Sequence, residues 1–193
     1  MDYALFHGTK YSSALLIETN GIRFDQNTYS CDFGYGFYLS PDISSAKTWA
    51  RRKAFRDTPA IIEVSLRKDF AEHVKVKDFG IITDNLSDDI ILKWAQFIIN
   101  NRCGLEYVSK TSLSSELKDN SLDASYDIVI GQIADGSITQ IASDCKRQFR
   151  PITISEAHRL LNTNFGIQYC LCSEKALSVI TKKPRIKKGV QWR

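Results

Sequence analysis

The chain carries His7-Gly8-Thr9 near its start, Tyr38 at the end of Gly36-Phe37-Tyr38 thirty-one residues after the histidine, and Trp49 eleven residues beyond the tyrosine. These residue types in this order suit one kind of chemistry, in which a flat cationic ring is held while the bond to its sugar breaks. The nicotinamide end of NAD+ is such a group. Gly8 has no side chain, so its backbone N–H and C=O can reach a carboxamide. His7 can hydrogen-bond a ribose hydroxyl, and Thr9 adds a polar contact. Tyr38 offers a π-face to a pyridinium, a stacking contact with cation–π character. Trp49 is expected on the buried side of the following helix, where it closes the other face of the ring. Nicotinamide departs as a neutral molecule, so no general acid is required. The ribose passes through an oxocarbenium-like state, as in glycoside hydrolysis. A protein assists by immobilising the ring, bending the ribose and placing electron-rich groups beside the developing charge.

The elements that position these residues alternate irregularly. Residues 3–8 read as a strand. Ser12 or Ser13 is expected to cap a short helix that Gly21 terminates. Residues 25–36 read as a loop, and Phe37-Tyr38-Leu39 resumes extended structure. Ser44 or Ser45 is expected to cap a helix whose buried face is Ala46, Trp49, Ala50 and Ala54, with Arg51, Arg52, Lys53 and Arg56 mostly on the other side. Residues 60–66 form a strand. Ser87 caps a helix with Ile90, Ile91, Trp94, Phe97 and Ile98 inward, ending near Gly104. Residues 105–125 are polar and serine-rich and read as a surface insertion. Tyr126-Asp127-Ile128-Val129-Ile130-Gly131 is the strongest strand. Helical stretches follow at 137–148 and 154–162, then a strand over 167–172 and a short helix capped by Ser173. Without a repeating βαβ unit, this order favours an α+β fold over a doubly wound sheet. One domain over 1–181 and a basic tail over 182–193 account for the whole chain.

The 193 residues, 43% hydrophobic and 25% charged, match a globular domain able to bury its own core. No apolar run approaches the ~20 residues needed to cross a bilayer. Met1-Asp2-Tyr3 has no basic and apolar leader, so a cytoplasmic location is expected. The five cysteines are odd in number and lack a Cys-x-x-Cys pair, which argues for free thiols and against a metal site. Net charge is +4, and the segment 182–193 holds six of the 26 basic residues and no acid. Such a run either binds phosphates or keeps the chain soluble.

The chain resembles the ADP-ribosyltransferase superfamily, in the His-Tyr-Glu branch that includes diphtheria toxin and the poly(ADP-ribose) polymerases. His7-Gly8-Thr9 and Gly36-Phe37-Tyr38 carry the resemblance, with Ala46 and Trp49 at the spacing of that branch's small residue and second aromatic. Leu5 to Thr9, Asp32 to Ser40, Tyr126 to Gly131 and Gln168-Tyr169-Cys170 are also similar to a group of short bacterial domains of this superfamily. The resemblance implies a split, curved, antiparallel-rich β-sheet clasping NAD+, with peripheral helices. It implies NAD+ as co-substrate without a metal, and transfer of ADP-ribose to RNA, DNA or protein. Short bacterial members are often toxins, from toxin–antitoxin or phage-defence modules among others, so an antitoxin is an implied partner and a membrane is not. The cofactor-facing set is then His7, Gly8, Thr9, Phe37, Tyr38 and Trp49.

One departure matters. The branch normally completes its triad with a glutamate on a late strand, whose carboxylate holds the ribose 2′-hydroxyl. The comparable residue here is Gln168, so the catalytic set reads His7, Tyr38 and Gln168. An amide holds the hydroxyl but brings no charge. Gln168 shares a strand face with Cys170 and Cys172, a floor of small side chains. Asp127 and Asp135 bracket the strongest strand; each can serve as a base at the acceptor or tie loops together. Arg102 can pair with a pyrophosphate or simply complement a helix end. Besides mono-ADP-ribosyl transfer, two alternatives stand: a weak or inactive NAD- or ADP-ribose-binding module, and an NAD glycohydrolase.

Overall fold

A computed structural model describes residues 2–24, 31–124, 126–134, 136–161 and 166–192. Asp135 lies outside them. The strands are β1 (Tyr3–Lys10), β2 (Phe37–Leu39), β3 (Pro59–Leu66), β4 (Val76–Asp78), β5 (Ile128–Gln132), β6 (Ile167–Leu171) and β7 (Ile180–Ile186). The helices are α1 (Tyr11–Asn20), α2 (Ile43–Ala54), α3 (Asp88–Cys103), α4 (Leu105–Lys110), α5 (Ser121–Ala124), α6 (Ile138–Gln148), α7 (Ile154–Arg159) and α8 (Glu174–Leu177). The class is α+β, as expected.

Two sheets divide the strands. One has the order β1-β3-β7, antiparallel throughout. The other has the order β2-β6-β5-β4, antiparallel except for the β4–β5 pair. Between them, among the described residues, runs one β-bridge, in which Phe6 and Ser40 exchange both backbone hydrogen bonds at 2.8 Å.

Alternation along β5 and β6 builds two cores. Val129 and Cys170 face a cluster with Trp94, Phe97 and Ile98 of α3, Ile141 of α6 and Ala157 of α7. Ile128, Ile130 and Leu171 face the other way and join Leu5, Ile62, Val64 and Leu66, so the second cluster ties the two sheets together. Each buried leucine, isoleucine or valine in these clusters stabilises the fold by about 1.5–3 kcal/mol relative to exposure.

Several expectations need correcting. Helix α1 begins at Tyr11 without a side-chain cap; Ser12 instead donates to Asp57 at 2.6 Å. Asp42, not Ser44 or Ser45, caps α2, accepting from both serine N–H groups at 2.9 Å. Ile90 is exposed, whereas Ile91, Trp94, Phe97 and Ile98 are buried. The segment 105–125 is not merely superficial: Tyr107, Val108, Leu113 and Asn120 are buried, and the Asn100 amide donates to the carbonyls of Leu117 and Asp119. The basic tail begins later than expected, because residues 180–186 form β7. Its lysines project from a sheet edge, where charge discourages further strand pairing. Pro184 is tolerated there because an edge strand does not need every N–H.

Candidate active site

His7 sits where the two sheets part. In β1, the N–H and C=O of Phe6 point away from β3 and bond Ser40. Two residues on, Gly8 presents its N–H and C=O to the same edge, since backbone polar groups alternate along a strand. Continued pairing would match Gly8 with Tyr38. Instead the His7 ring takes the Tyr38 carbonyl: Nδ1 lies 2.7 Å from that oxygen. Among the described residues, neither polar group of the Gly8 backbone has a partner across this edge.

Two contacts hold the imidazole. A carbonyl only accepts, so Nδ1 carries the proton and donates to it, leaving Nε2 as a lone-pair acceptor. The ring stacks on Phe37, with centroids 4.2 Å apart and planes 26° from parallel. Desolvation and the nearby Lys53 ammonium lower its pKa to about 4, against a smaller opposing effect of the bond to Tyr38. At neutral pH it is an uncharged acceptor.

Gly8 is required for packing as well. A Cβ there would stand 1.9 Å from the Ala46 carbonyl oxygen and 2.7 Å from the Ala50 nitrogen. Helix α2 therefore lies directly on the backbone of β1. Its buried stripe is Ala46, Ala50 and Ala54. Trp49, expected on that stripe, is instead 43% exposed, with the Arg52 guanidinium 5.3 Å from its ring centroid. Three small residues suffice for the close approach, and an indole would hold the helix off.

Tyr38 points to the opposite face of β2 from Phe37 and Leu39. Its hydroxyl accepts from Phe33 N–H at 3.0 Å and donates to the Gly34 carbonyl at 2.7 Å. The phenol thus pegs the turn that leads into β2. Burial raises its pKa well above the usual value, so it is no acid or base near neutrality. Its ring packs against the cluster around α3.

Gln168 is 9% exposed on β6. Tyr38 pairs directly with Cys170, and Gln168 lies two residues along on the same face. The Gln168 amide donates to Asp32 Oδ2 at 3.3 Å, an oxygen that also accepts from Ala134 N–H at 3.2 Å. Asp32 Oδ1 accepts from Arg102 Nε at 2.9 Å and Nη2 at 2.6 Å. Arg102 is therefore committed to a largely buried ion pair with Asp32. One turn, residues 31–34, consequently links Tyr38 and Gln168, through its N–H and carbonyl groups on one side and a carboxylate on the other.

The remaining expected residues are placed as follows. Thr9 is buried on the same strand face as His7. Asp127 lies four residues before Gly131, the partner of Gln168, about 13 Å along β5. Its carboxylate accepts from Lys75 N–H at 2.8 Å and Ser173 Oγ at 2.6 Å. Burial alone would raise its pKa, but these bonds outweigh that and hold it below the usual value. The structure uses Asp127 to tie β5 to α8 and does not bring it to Gln168. Asp32 was missed in the sequence, where nothing local distinguishes it. Two surface pockets, about 430 Å³ beside Glu63 and Arg185 and about 310 Å³ beside Ile22 and Pro184, do not include His7, Tyr38 or Gln168. Among the described residues, the one cluster with ligand-like spacing for a metal is the exposed Asp69, Glu72 and His73. Asp69 there is already engaged by Arg67 at 2.6 and 2.9 Å.

The geometry defines a break in strand pairing between the two sheets at Gly8, beside a neutral imidazole, with the buried amide of Gln168 on the neighbouring sheet. The chain belongs to the family described as "Protein of unknown function (DUF3990)", whose profile matches residues 3–181. That match covers β1 to β6 and the first two residues of β7. No curated protein and no solved structure matches the chain. Among the described residues, no helix is long and apolar enough to cross a membrane.

Proposed function

We propose that this protein is an NAD-dependent mono-ADP-ribosyltransferase. The observation that carries the reading is the parting of the sheets at His7, which among the described residues leaves the Gly8 N–H and C=O without a strand partner on that edge. A carboxamide needs one acceptor and one donor in that order, and the nicotinamide amide supplies the complement. Gln168 stands on the neighbouring sheet, sharing a face with Tyr38. In the reaction, the pair of electrons in the C1′–N bond goes to the pyridinium nitrogen and neutral nicotinamide leaves. The acceptor's nucleophile then bonds C1′ and releases its proton.

The chain's residues have separate roles in this scheme. The lone pair on His7 Nε2 accepts a ribose hydroxyl. The Gly8 backbone holds the carboxamide and the Tyr38 ring stacks on the pyridinium; Trp49, exposed under Arg52, has no part in this set. Asp32 draws one Gln168 N–H to itself, which orients the amide and leaves Oε1 to accept the ribose 2′-hydroxyl. The acceptor is a nucleic acid or a protein, and the setting is a bacterial toxin or phage-defence module. A binding module without turnover is the second reading. It is favoured by one fact: the carboxylate nearest Gln168, that of Asp32, is neutralised by Arg102.

Purified protein given labelled NAD+ and a cell extract should label a macromolecule, and His7→Ala should abolish the label. Undiminished labelling by His7→Ala refutes the assignment. Free ADP-ribose without a labelled acceptor indicates a glycohydrolase instead.

A further inference from the structure

Helix α2 has an outer side that the chemistry above does not use. Arg51, Arg52, Lys53 and, just past the helix, Arg56 are exposed there, and Lys47 is half-buried. Among the described residues none of these five cations forms an ion pair. The nearby acids are otherwise occupied. Asp42 caps the helix, and Asp57 accepts from Ser12 and from Thr58 N–H.

Aromatic rings interleave with these cations. Trp49 lies under Arg52, and Phe55 lies 5.4 Å from the Arg56 guanidinium. Phe55 is 88% exposed, the largest value among the exposed apolar side chains. Its backbone has φ 47° and ψ −95°, a conformation that strains a bulky L residue. The fold thus holds a phenylalanine in water, in a costly conformation, beside a free arginine. Strain of this kind is concentrated at sites of function. The C-terminal segment reaches the same face, where Arg51 Nη2 donates to the Trp192 carbonyl.

We propose that the outer face of α2, from Arg51 to Arg56, together with the Trp192 segment docked on it, binds a single-stranded nucleic acid. Guanidinium groups meet phosphates, and exposed rings stack on unpaired bases, which a duplex does not offer. The surface belongs to the helix that rests directly on Gly8 through Ala46 and Ala50. Lys53 is close enough to His7 for its charge to be felt there. A strand lying along α2 is led toward Gly8 and so becomes the acceptor. That last role rests on the transferase reading, whereas the binding does not.

The test uses the full chain and a labelled single-stranded RNA of mixed sequence, about 20 nucleotides long, with the DNA analogue and a duplex beside it. Single strands should bind, with affinity falling steeply as salt rises. Phe55→Ala/Arg56→Glu should weaken binding about tenfold or more. An unchanged thermal midpoint checks its fold, and Arg51→Glu/Arg56→Glu serves as the second variant should Phe55→Ala disturb it. Lys146→Glu/Lys118→Glu, exposed cations elsewhere, should change affinity less than about twofold. Nicotinamide release from NAD+ without acceptor should be the same in Phe55→Ala/Arg56→Glu and the parent. Absence of single-strand binding, equal binding of duplex, indifference to the α2 variants, or equal competition by polyglutamate or anionic vesicles overturns the proposal. Strand binding without nicotinamide release leaves docking standing and removes the transferase; release without strand binding does the reverse.

Discussion

The imidazole of His7 and the carbonyl of Tyr38 are joined by a 2.7 Å hydrogen bond across the line where the two sheets separate. One side chain thereby replaces a rung of the β-ladder, fixes its own tautomer and frees the backbone of the next residue. Its neutrality follows from burial and from Lys53, which together bring its pKa to about 4.

That value has a pH signature. Above pH 6.5 the ring is neutral both folded and unfolded. Between about 6.5 and 4 the unfolded chain binds a proton that the folded chain refuses, so stability falls as pH falls through this window. The loss amounts to about 2–3 kcal/mol by pH 4. Urea unfolding at pH 7 and pH 4 should show it in the parent, beyond the loss from carboxylates that His7→Gln shares. NAD+ cleavage should likewise keep its His7-dependent acid limb near 4 rather than 6.5.

Gly8→Ala should be among the most damaging single-methyl changes in the chain. The added carbon meets the Ala46 carbonyl of α2 at 1.9 Å, a backbone atom that cannot rotate away. Overpacking of this severity costs about 3 kcal/mol or more, which lowers the thermal midpoint by roughly 6–12 °C. A midpoint within about 2 °C of the parent would show that α2 does not rest on β1 as described.

Much of this arrangement was legible in the chain. The His-Gly dipeptide, the Phe37-Tyr38-Leu39 strand, the α3 stripe and the alternation that sets Gln168 beside Cys170 all follow from local pattern. What escaped is relational. Lys182-Lys183-Pro184-Arg185 reads as a solvated tail because a basic edge strand has one face in water and a proline in its run. Trp49 reads as core by size, yet the helix needs small residues against Gly8. Asp32 and Arg102 lie seventy positions apart, and no periodicity reports a pair closed by tertiary contact. The bond between His7 and a carbonyl likewise leaves no trace in residue type.

Tyr38→Phe separates the ring from its hydroxyl. The change removes a donor to Gly34 and an acceptor for Phe33 N–H, which costs about 1–3 kcal/mol in stability. The π-face survives, so the transferase reading expects Tyr38→Phe to retain most of the nicotinamide release that Tyr38→Ala loses. Equal loss in both variants would assign the role to the hydroxyl.

Gln168→Glu does not simply restore the carboxylate of the His-Tyr-Glu branch. It sets a second acid about 3.3 Å from Asp32 Oδ2, and two such groups cannot both ionise cheaply. The variant should be destabilised at pH 7 and recover as pH falls and one carboxyl is protonated. Asp32→Asn combined with Gln168→Glu should be more stable than the two single effects predict, with a coupling of about 1–3 kcal/mol. Additive free energies in chemical denaturation would show that the two side chains do not meet.

The most direct measurement is proton NMR of NAD+ incubated with the purified chain, read as free nicotinamide over time in the parent and in His7→Ala. A transferase built around His7 releases nicotinamide steadily in the parent and at least about a hundredfold more slowly in His7→Ala, a loss of the size seen when an oriented polar group is removed from a reacting centre. Release by His7→Ala at the parent's rate, with both proteins folded, would contradict it.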